Sequence, residues 1–201
     1  MLTKNDLRIM EFLIKNQEKK FSIREISRQV KIDYKLVHNS IQRLEEKKLI
    51  DYLEFGKTGL WEINLRNNID DLVQVENIKA KKLLEKEIGI RVIIKDLKEK
   101  MNNPYYTLII FGSYAKSKQH QQSDLDLIII VPNHESIKEA EIAINSVAKI
   151  IPLKLHGFTF TMDDFKRMLI ANEELNVAKE TLNNHIILHG AEAYYKLLEG
   201  I

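Results

Sequence analysis

The chain has 201 residues, enough for two domains with separate cores, and its 44% hydrophobic content is that of an ordinary globular protein. It holds no cysteine, which excludes disulfides and thiolate metal sites, and no apolar run reaches the length of a membrane span. The net charge of +2 is uneven: residues 1–66 carry 14 Lys and Arg against 10 Asp and Glu, the remainder 17 against 19, so the front part suits a polyanion. With no secretory h-region at the N-terminus, the cytoplasm is the expected location.

Thr3 opens an amphipathic helix with Leu7, Met10, Leu13 and Ile14 at helical spacing, and Asp6 three residues on gives a capping-box start. Ser22-Ile-Arg-Glu25 is a closer S-x-x-E match and opens a short helix through Ile26 and Val30. Asp33 caps a third helix that turns Val37, Ile41 and Leu44 inward. Its outward positions are then Tyr34, Lys35, His38, Asn39, Gln42 and Arg43. Leu49–Leu53 and Leu60–Asn64 read as strands around a turn with two glycines and Lys57 at its tip. Trp61 is expected to pack against the helices.

Three helices followed by a hairpin resemble a prokaryotic winged helix-turn-helix from Leu2 to about Asn64. The resemblance implies DNA as a partner, with the third helix in the major groove. Lys35 and Arg43 would meet phosphates, Asn39 and Gln42 base edges, and Lys57 the backbone from the wing, with Tyr34 and His38 on the same face. Winged helices also serve as protein-binding modules, and Glu45, Glu46 and Asp51 would repel DNA if they faced it.

Residues 67–103 read as a helical linker. Asn67-Asn68-Ile-Asp70 is a break, and helix signals run from about Asp71 to Asn102. Leu72, Val75, Ile78 and Lys79 share a face, as do Leu83, Leu84, Ile88, Val92, Ile93 and Leu97. Gly89 is where this helix would bend or divide. Its apolar face can pack on its own domain or make a homodimer; the sequence leaves both open.

The remainder, 104–201, alternates strands and helices after Pro104: strands at Tyr105–Phe111, Leu125–Val131 and Leu153–Thr161, and an apolar piece at Ile186–Leu188. Helices are expected at Ser113–Ser117, Glu135–Lys149, Asp163–Ala171, Glu173–Leu182 and Ala191–Leu198. The fold class is α+β, with strands and helices alternating behind the N-terminal domain.

The stretch Phe111–Val131 carries the chemistry. Gly112-Ser113 follows an apolar run, and Ser123-Asp-Leu-Asp-Leu127 leads into another. Asp124 and Asp126 are two apart, so on a strand they point the same way, and two neighbouring carboxylates repel unless a cation lies between them. Oxygen ligands favour magnesium or manganese. A Gly-Ser turn offers N–H groups and a hydroxyl to phosphate.

This composite resembles the G-S-x-A-x-G…S-D-x-D-L signature of polymerase-β-like nucleotidyltransferases, most closely the minimal prokaryotic branch, with Ser117 where the second glycine usually stands. The resemblance implies that Asp124 and Asp126 hold magnesium or manganese, and that Gly112, Ser113, Lys116 and Ser123 contact ATP or another nucleoside triphosphate. It also implies a third carboxylate on the next strand, and there the pattern fails: counting back from Met162-Asp-Asp-Phe165, its place falls at or near His156. Three readings follow. His156 substitutes as base or ligand; an acid reaches in from elsewhere; or transfer is lost and the pocket only binds nucleotide. Asp163 and Asp164 are expected to open the following helix.

The expected protein is therefore DNA-binding, with a domain that binds magnesium–nucleotide and transfers a nucleoside monophosphate to a hydroxyl. Related small domains adenylylate a toxin-like protein partner, and others modify antibiotics. The alternative is a non-catalytic transcriptional regulator whose degenerate nucleotidyltransferase domain is a nucleotide sensor or dimerisation scaffold.

Overall fold

Local capping starts each of the first three helices. In α1 (Lys4–Ile14) the Asp6 N–H donates to Thr3 Oγ1 at 3.2 Å and the Thr3 N–H to Asp6 Oδ2 at 2.8 Å, closing the expected box. Ser22 and Glu25 repeat it at α2 (Ile23–Val30), which ends on Lys31 in the left-handed region, φ 53. Asp33 Oδ1 accepts the Lys35 N–H at 2.9 Å at the start of α3 (Tyr34–Glu46). The computed structural model describes residues 1–56, 58–116, 118–120, 123–171 and 176–199, and divides into Met1–Val75 and Glu76–Ile201.

In the first unit α3 leads to an antiparallel hairpin, β1 (Ile50–Phe55) and β2 (Thr58–Ile63), with Tyr52 opposite Trp61. Phe21, between α1 and α2, pairs with Trp61 through reciprocal bonds of 2.9 and 2.8 Å, adding a one-residue bridge to the hairpin. Ile9, Met10, Leu13, Ile14, Ile26, Val37, Ile41 and Leu44 are buried beneath it. Each such side chain contributes about 1.5–3 kcal/mol relative to exposure. Lys57, the expected tip of the turn, lies outside the described residues, as do Ser117 and the start of the helix expected at Glu173.

The expected linker is two helices, α4 (Ile69–Lys86) and α5 (Ile88–Lys100). The break falls at Glu87, and Gly89 lies inside α5 with open space where a Cβ would be. Leu83, Ile90, Ile93, Ile94 and Leu97 are buried in the core of the second unit, so most of residues 67–103 belong to that unit rather than to a separate connector. Leu83, Ile93 and Leu97 of the expected apolar face are thus covered by their own domain. Ile88 and Val92, assigned to that face, are exposed instead, because the break at Glu87 resets the helical phase.

The second unit is built on a mixed sheet in the order β5-β4-β3-β6: β3 (Thr107–Ile110), β4 (Leu125–Val131), β5 (Leu155–Thr161) and β6 (Ile186–His189). β3 runs antiparallel to β4 and β6, while β4 and β5 are parallel, joined by α7 (Glu135–Ala148). Leu125, Leu127, Ile129 and Val131 face a core shared with α5 and α7. On that side β5 lies so close to α7 that a Cβ on Gly157 would stand 2.6 Å from Ile144 Cγ2. The other face is covered by α8 (Met162–Ile170) and α10 (Ala191–Glu199) at one end only, leaving the start of β4 and β5 accessible. Thr161 caps α8 with Asp164, the local role expected of that acid.

A buried polar knot ties α4, α9 (Val177–Asn183), β6 and α10 together. Glu76 is fully buried; Lys79 Nζ lies 2.8 Å from its Oε1, Tyr195 donates its hydroxyl to it at 3.0 Å, and His185 Nε2 lies at 3.3 Å. The Ile187 N–H reaches the other oxygen at 3.5 Å. Burial alone would raise the Glu76 carboxyl, but Lys79 and His185 outweigh it and hold it at about 2. Among the described helices, none is long and apolar enough to cross a membrane.

Candidate functional site

Asp126 is the second residue of β4, and Asp124 stands just before that strand. The parallel register places Asp126 directly beside His156 on β5. His156 Nδ1 lies 3.3 Å from Asp126 Oδ1 and 3.8 Å from Asp124 Oδ2, so one imidazole faces both carboxylates. Lys154, two residues earlier and so on the same side, places its Nζ 3.1 Å from Asp124 Oδ2.

Gly112 is required twice over. Its φ of +65 lies in the left-handed region, and a Cβ there would meet Asp126 Oδ2 at 2.2 Å. The backbone thus closes on the carboxylate as β3 passes into α6 (Gly112–Ala115), with the Phe111 N–H donating to the Asp126 carbonyl at 3.1 Å. Ser113 is half-buried in this turn. Lys116 follows it, and its Nζ lies 2.7 Å from Glu180 Oε1 on α9. Ser123 accepts the His120 N–H at 2.7 Å, which closes the loop ahead of the aspartates.

Burial raises the Asp126 carboxyl above the ordinary carboxylate range. The hydrogen bond and charge of His156 work against that, while the charges of Asp124 and Glu180 add to it. Among the described residues no three His, Asp or Glu side chains are gathered as a ready-made cation cage. The donor chemistry, two neighbouring carboxylates beside one imidazole, is of a kind that suits a hard divalent cation.

The expected site residues thus fall into two groups in this unit. Gly112, Asp124, Asp126 and His156 come together, and Lys116 is drawn to Glu180. Sequence reasoning missed Lys154, Glu180 and Phe158. Strand alternation would have found two of these, since Lys154 and Phe158 share the face of His156; Phe158 is 39% exposed and its ring centroid lies 6.1 Å from that of Phe111. Glu180 had no local signal, because the fold brings it from a distant helix.

In the first unit, Tyr34, Lys35, Asn39 and Gln42 are exposed on α3, and His38 is half-buried beside the Tyr34 ring. Arg43 is exposed on the same helix and also paired: its Nη2 lies 2.8 Å from Asp6 Oδ1 and 2.9 Å from Ser40 Oγ, which fastens α3 to α1. Burial would raise the Asp6 carboxyl, but Arg43, Thr3 and Ser40 outweigh it and bring it below its ordinary value. Two of the acids that would repel DNA have partners in the fold: Trp61 Nε1 lies 3.5 Å from Glu45, and Asn64 donates to Asp51 at 2.8 and 2.9 Å.

Comparison with known proteins bears on the two units differently. Residues 1–60 match a family model, HVO_A0114, whose description carries no activity. No curated protein matches the chain. A solved structure described as "Crystal structure of the toxin-antitoxin with AMP-PNP" is 15% identical with a TM-score of 0.37, over 54% of this chain and 79% of that one, a likeness too distant to bear on ligand or partner here. Residues 90–180 match the family model described as nucleotidyltransferase domain. Gly112, Ser113, Lys116, Ser123, Asp124, Asp126, His156 and Glu180 therefore all lie within the part of the chain that is similar to nucleotidyltransferase domains.

Proposed function

We propose that the second unit binds a nucleoside triphosphate, ATP in the first instance, with magnesium or manganese, and transfers its nucleoside monophosphate to a hydroxyl group. The observation that carries this reading is the register of Asp126 against His156 with Gly112 closed on the same carboxylate, inside the matched span 90–180. Asp124 and Asp126 are the residues that would hold the cation. A bound cation supplies neutralisation of the triphosphate oxygens and of the charge that builds at the α-phosphorus. The chain's own residues do the rest. Gly112 lets phosphate approach the backbone, Ser113 offers a hydroxyl and Lys116 a charge, while His156 holds the Asp126 carboxylate in place. A protein hydroxyl is the acceptor we favour, in the manner of antitoxin-like transfer to a toxin-like partner.

The first unit, in this reading, is a winged helix-turn-helix that binds DNA. The order of three helices and a hairpin, the Phe21–Trp61 bridge, and the exposure of Lys35, Asn39 and Gln42 on α3 support it.

A second reading has its own observation. Lys154 and His156 already engage carboxylate oxygens of Asp124 and Asp126, as a nucleotide sensor without transfer would allow. Incubation with α-labelled ATP, manganese or magnesium and a host-cell lysate separates the two. Label that appears on a protein and vanishes in Asp124→Asn/Asp126→Asn is the expected result. Nucleotide binding without label would leave the sensor, and label that survives the double variant would sink the site assignment.

A further inference from the structure

β5 contains no acid. Beside the paired aspartates it carries His156, and Lys154 comes just before it on the same side. The Lys154 backbone is pinned at this point: its carbonyl accepts the N–H of Leu125, the residue between the two aspartates, at 2.8 Å. Its ammonium reaches across, Nζ to Asp124 Oδ2 at 3.1 Å, although the side chain is 67% exposed.

Together the two side chains engage one oxygen of each carboxylate. Asp124 Oδ2 faces Lys154 Nζ and, at 3.8 Å, His156 Nδ1; Asp126 Oδ1 faces the same imidazole nitrogen at 3.3 Å. The other oxygens, Asp124 Oδ1 and Asp126 Oδ2, have no hydrogen-bond partner among the described residues. One open oxygen from each carboxylate suits a single divalent cation.

The charges balance in the same way. A two-metal site clamps the attacking and leaving oxygens of a phosphoryl transfer with a pair of cations. Three carboxylates with two divalent cations carry one net positive charge. Two carboxylates with one ammonium and one divalent cation carry the same. The acid missing from β5 and one metal ion therefore cancel if an ammonium takes their place.

We propose that the Lys154 ammonium stands in for a second metal ion, so that Asp124 and Asp126 take one divalent cation with the nucleotide. The inference rests on the metal–nucleotide part of the reading above, and holds whether the nucleotide is transferred or only sensed. Lys154 keeps its hold on Asp124 and turns another of its three N–H donors to an α-phosphate oxygen. It acts from β5, the strand on which the resemblance places the missing acid.

The test uses manganese and an ATP analogue with a methylene bridge between the α- and β-phosphorus. Native mass spectrometry counts manganese ions on each nucleotide-bound chain, with Asp124→Asn/Asp126→Asn as the control for adventitious ions, and calorimetry gives the affinity for the manganese–analogue complex. Wild type is expected to carry one manganese. Lys154→Ala should bind the complex about 10-fold more weakly, and Lys154→Arg, which keeps the charge, within about threefold of wild type. Two manganese ions on the wild type would overturn the proposal. So would tighter binding by Lys154→Ala, which would show that the ammonium competes with the cation instead of joining it. A wild type that binds no analogue, or binds it without manganese, would instead refute the metal–nucleotide reading, and this proposal with it.

Discussion

Removing the charge of Glu76 should unfasten the second unit. Glu76→Gln keeps the shape of the side chain but leaves Lys79, only 6% exposed, without its carboxylate. Breaking a buried ion pair from one side costs about 3–5 kcal/mol. A second route gives a similar figure: a carboxyl held at about 2 against an ordinary 4.5 is worth roughly 3 kcal/mol at neutral pH. Because the folded value is depressed, that stability is present above pH 4.5 and lost as pH falls toward 2. Urea unfolding followed by circular dichroism at pH 7 and pH 3 reads both effects. Trp61, the single tryptophan, lies in the first unit, and its emission is the reference for that unit. Glu76→Gln with Lys79→Met should restore part of the loss, since no buried ammonium is then left without its carboxylate. A loss below about 1 kcal/mol in the single variant, or an unchanged acid limb, would refute the reasoning.

Other outcomes follow from the same structure. Gly112→Ala must strain a left-handed backbone, at about 1–2 kcal/mol, and displace Asp126; nucleotide transfer should fall about 100-fold, checked beside a urea midpoint. Arg43→Ala strands the buried Asp6 and should destabilise the first unit by about 1–2 kcal/mol, less than a fully buried pair because Arg43 is 44% exposed; Trp61 emission in urea reads it. In the wild type, the Asp6 contribution should persist above its ordinary value of 3.8 and fade in more acidic solution. If α3 reads DNA, Lys35→Ala should weaken binding to all sequences and lower the salt dependence by about one counterion, while Gln42→Ala should relax base preference instead; unchanged salt slopes in fluorescence anisotropy would remove Lys35 from the interface.

Much of the architecture was legible because its signals are local. The caps at Thr3, Ser22 and Asp33 fall within three residues of the groups they satisfy, and the run Leu127–Val131 is apolar because both faces are covered there. Asp124, Asp126 and Gly112 were legible for the same reason, as a compact pattern beside that run. The pairing of Arg43 with Asp6 was not legible, because the two lie a helix apart and an outward Arg reads the same in sequence whether or not an acid awaits it. Lys79 was placed on an apolar stripe without its reason, which is Glu76. Glu180 and Lys116 are 64 residues apart, and no periodicity links them.

Among the described residues β5 is an edge strand, bonded to β4 alone, and an edge strand can slide along its neighbour more readily than a central one. A slide of one residue would turn His156 to the opposite side of the sheet, and a slide of two would set Lys154 or Phe158 against Asp126. Gly157 works as a keyway against both. Only where the chain lacks a Cβ does β5 fit under Ile144, and Leu155 or Thr159 brought to that point would have to push α7 away. The alignment of Asp126 with His156 on one side of the sheet is thus gauged from the other side, at a residue that has no side chain.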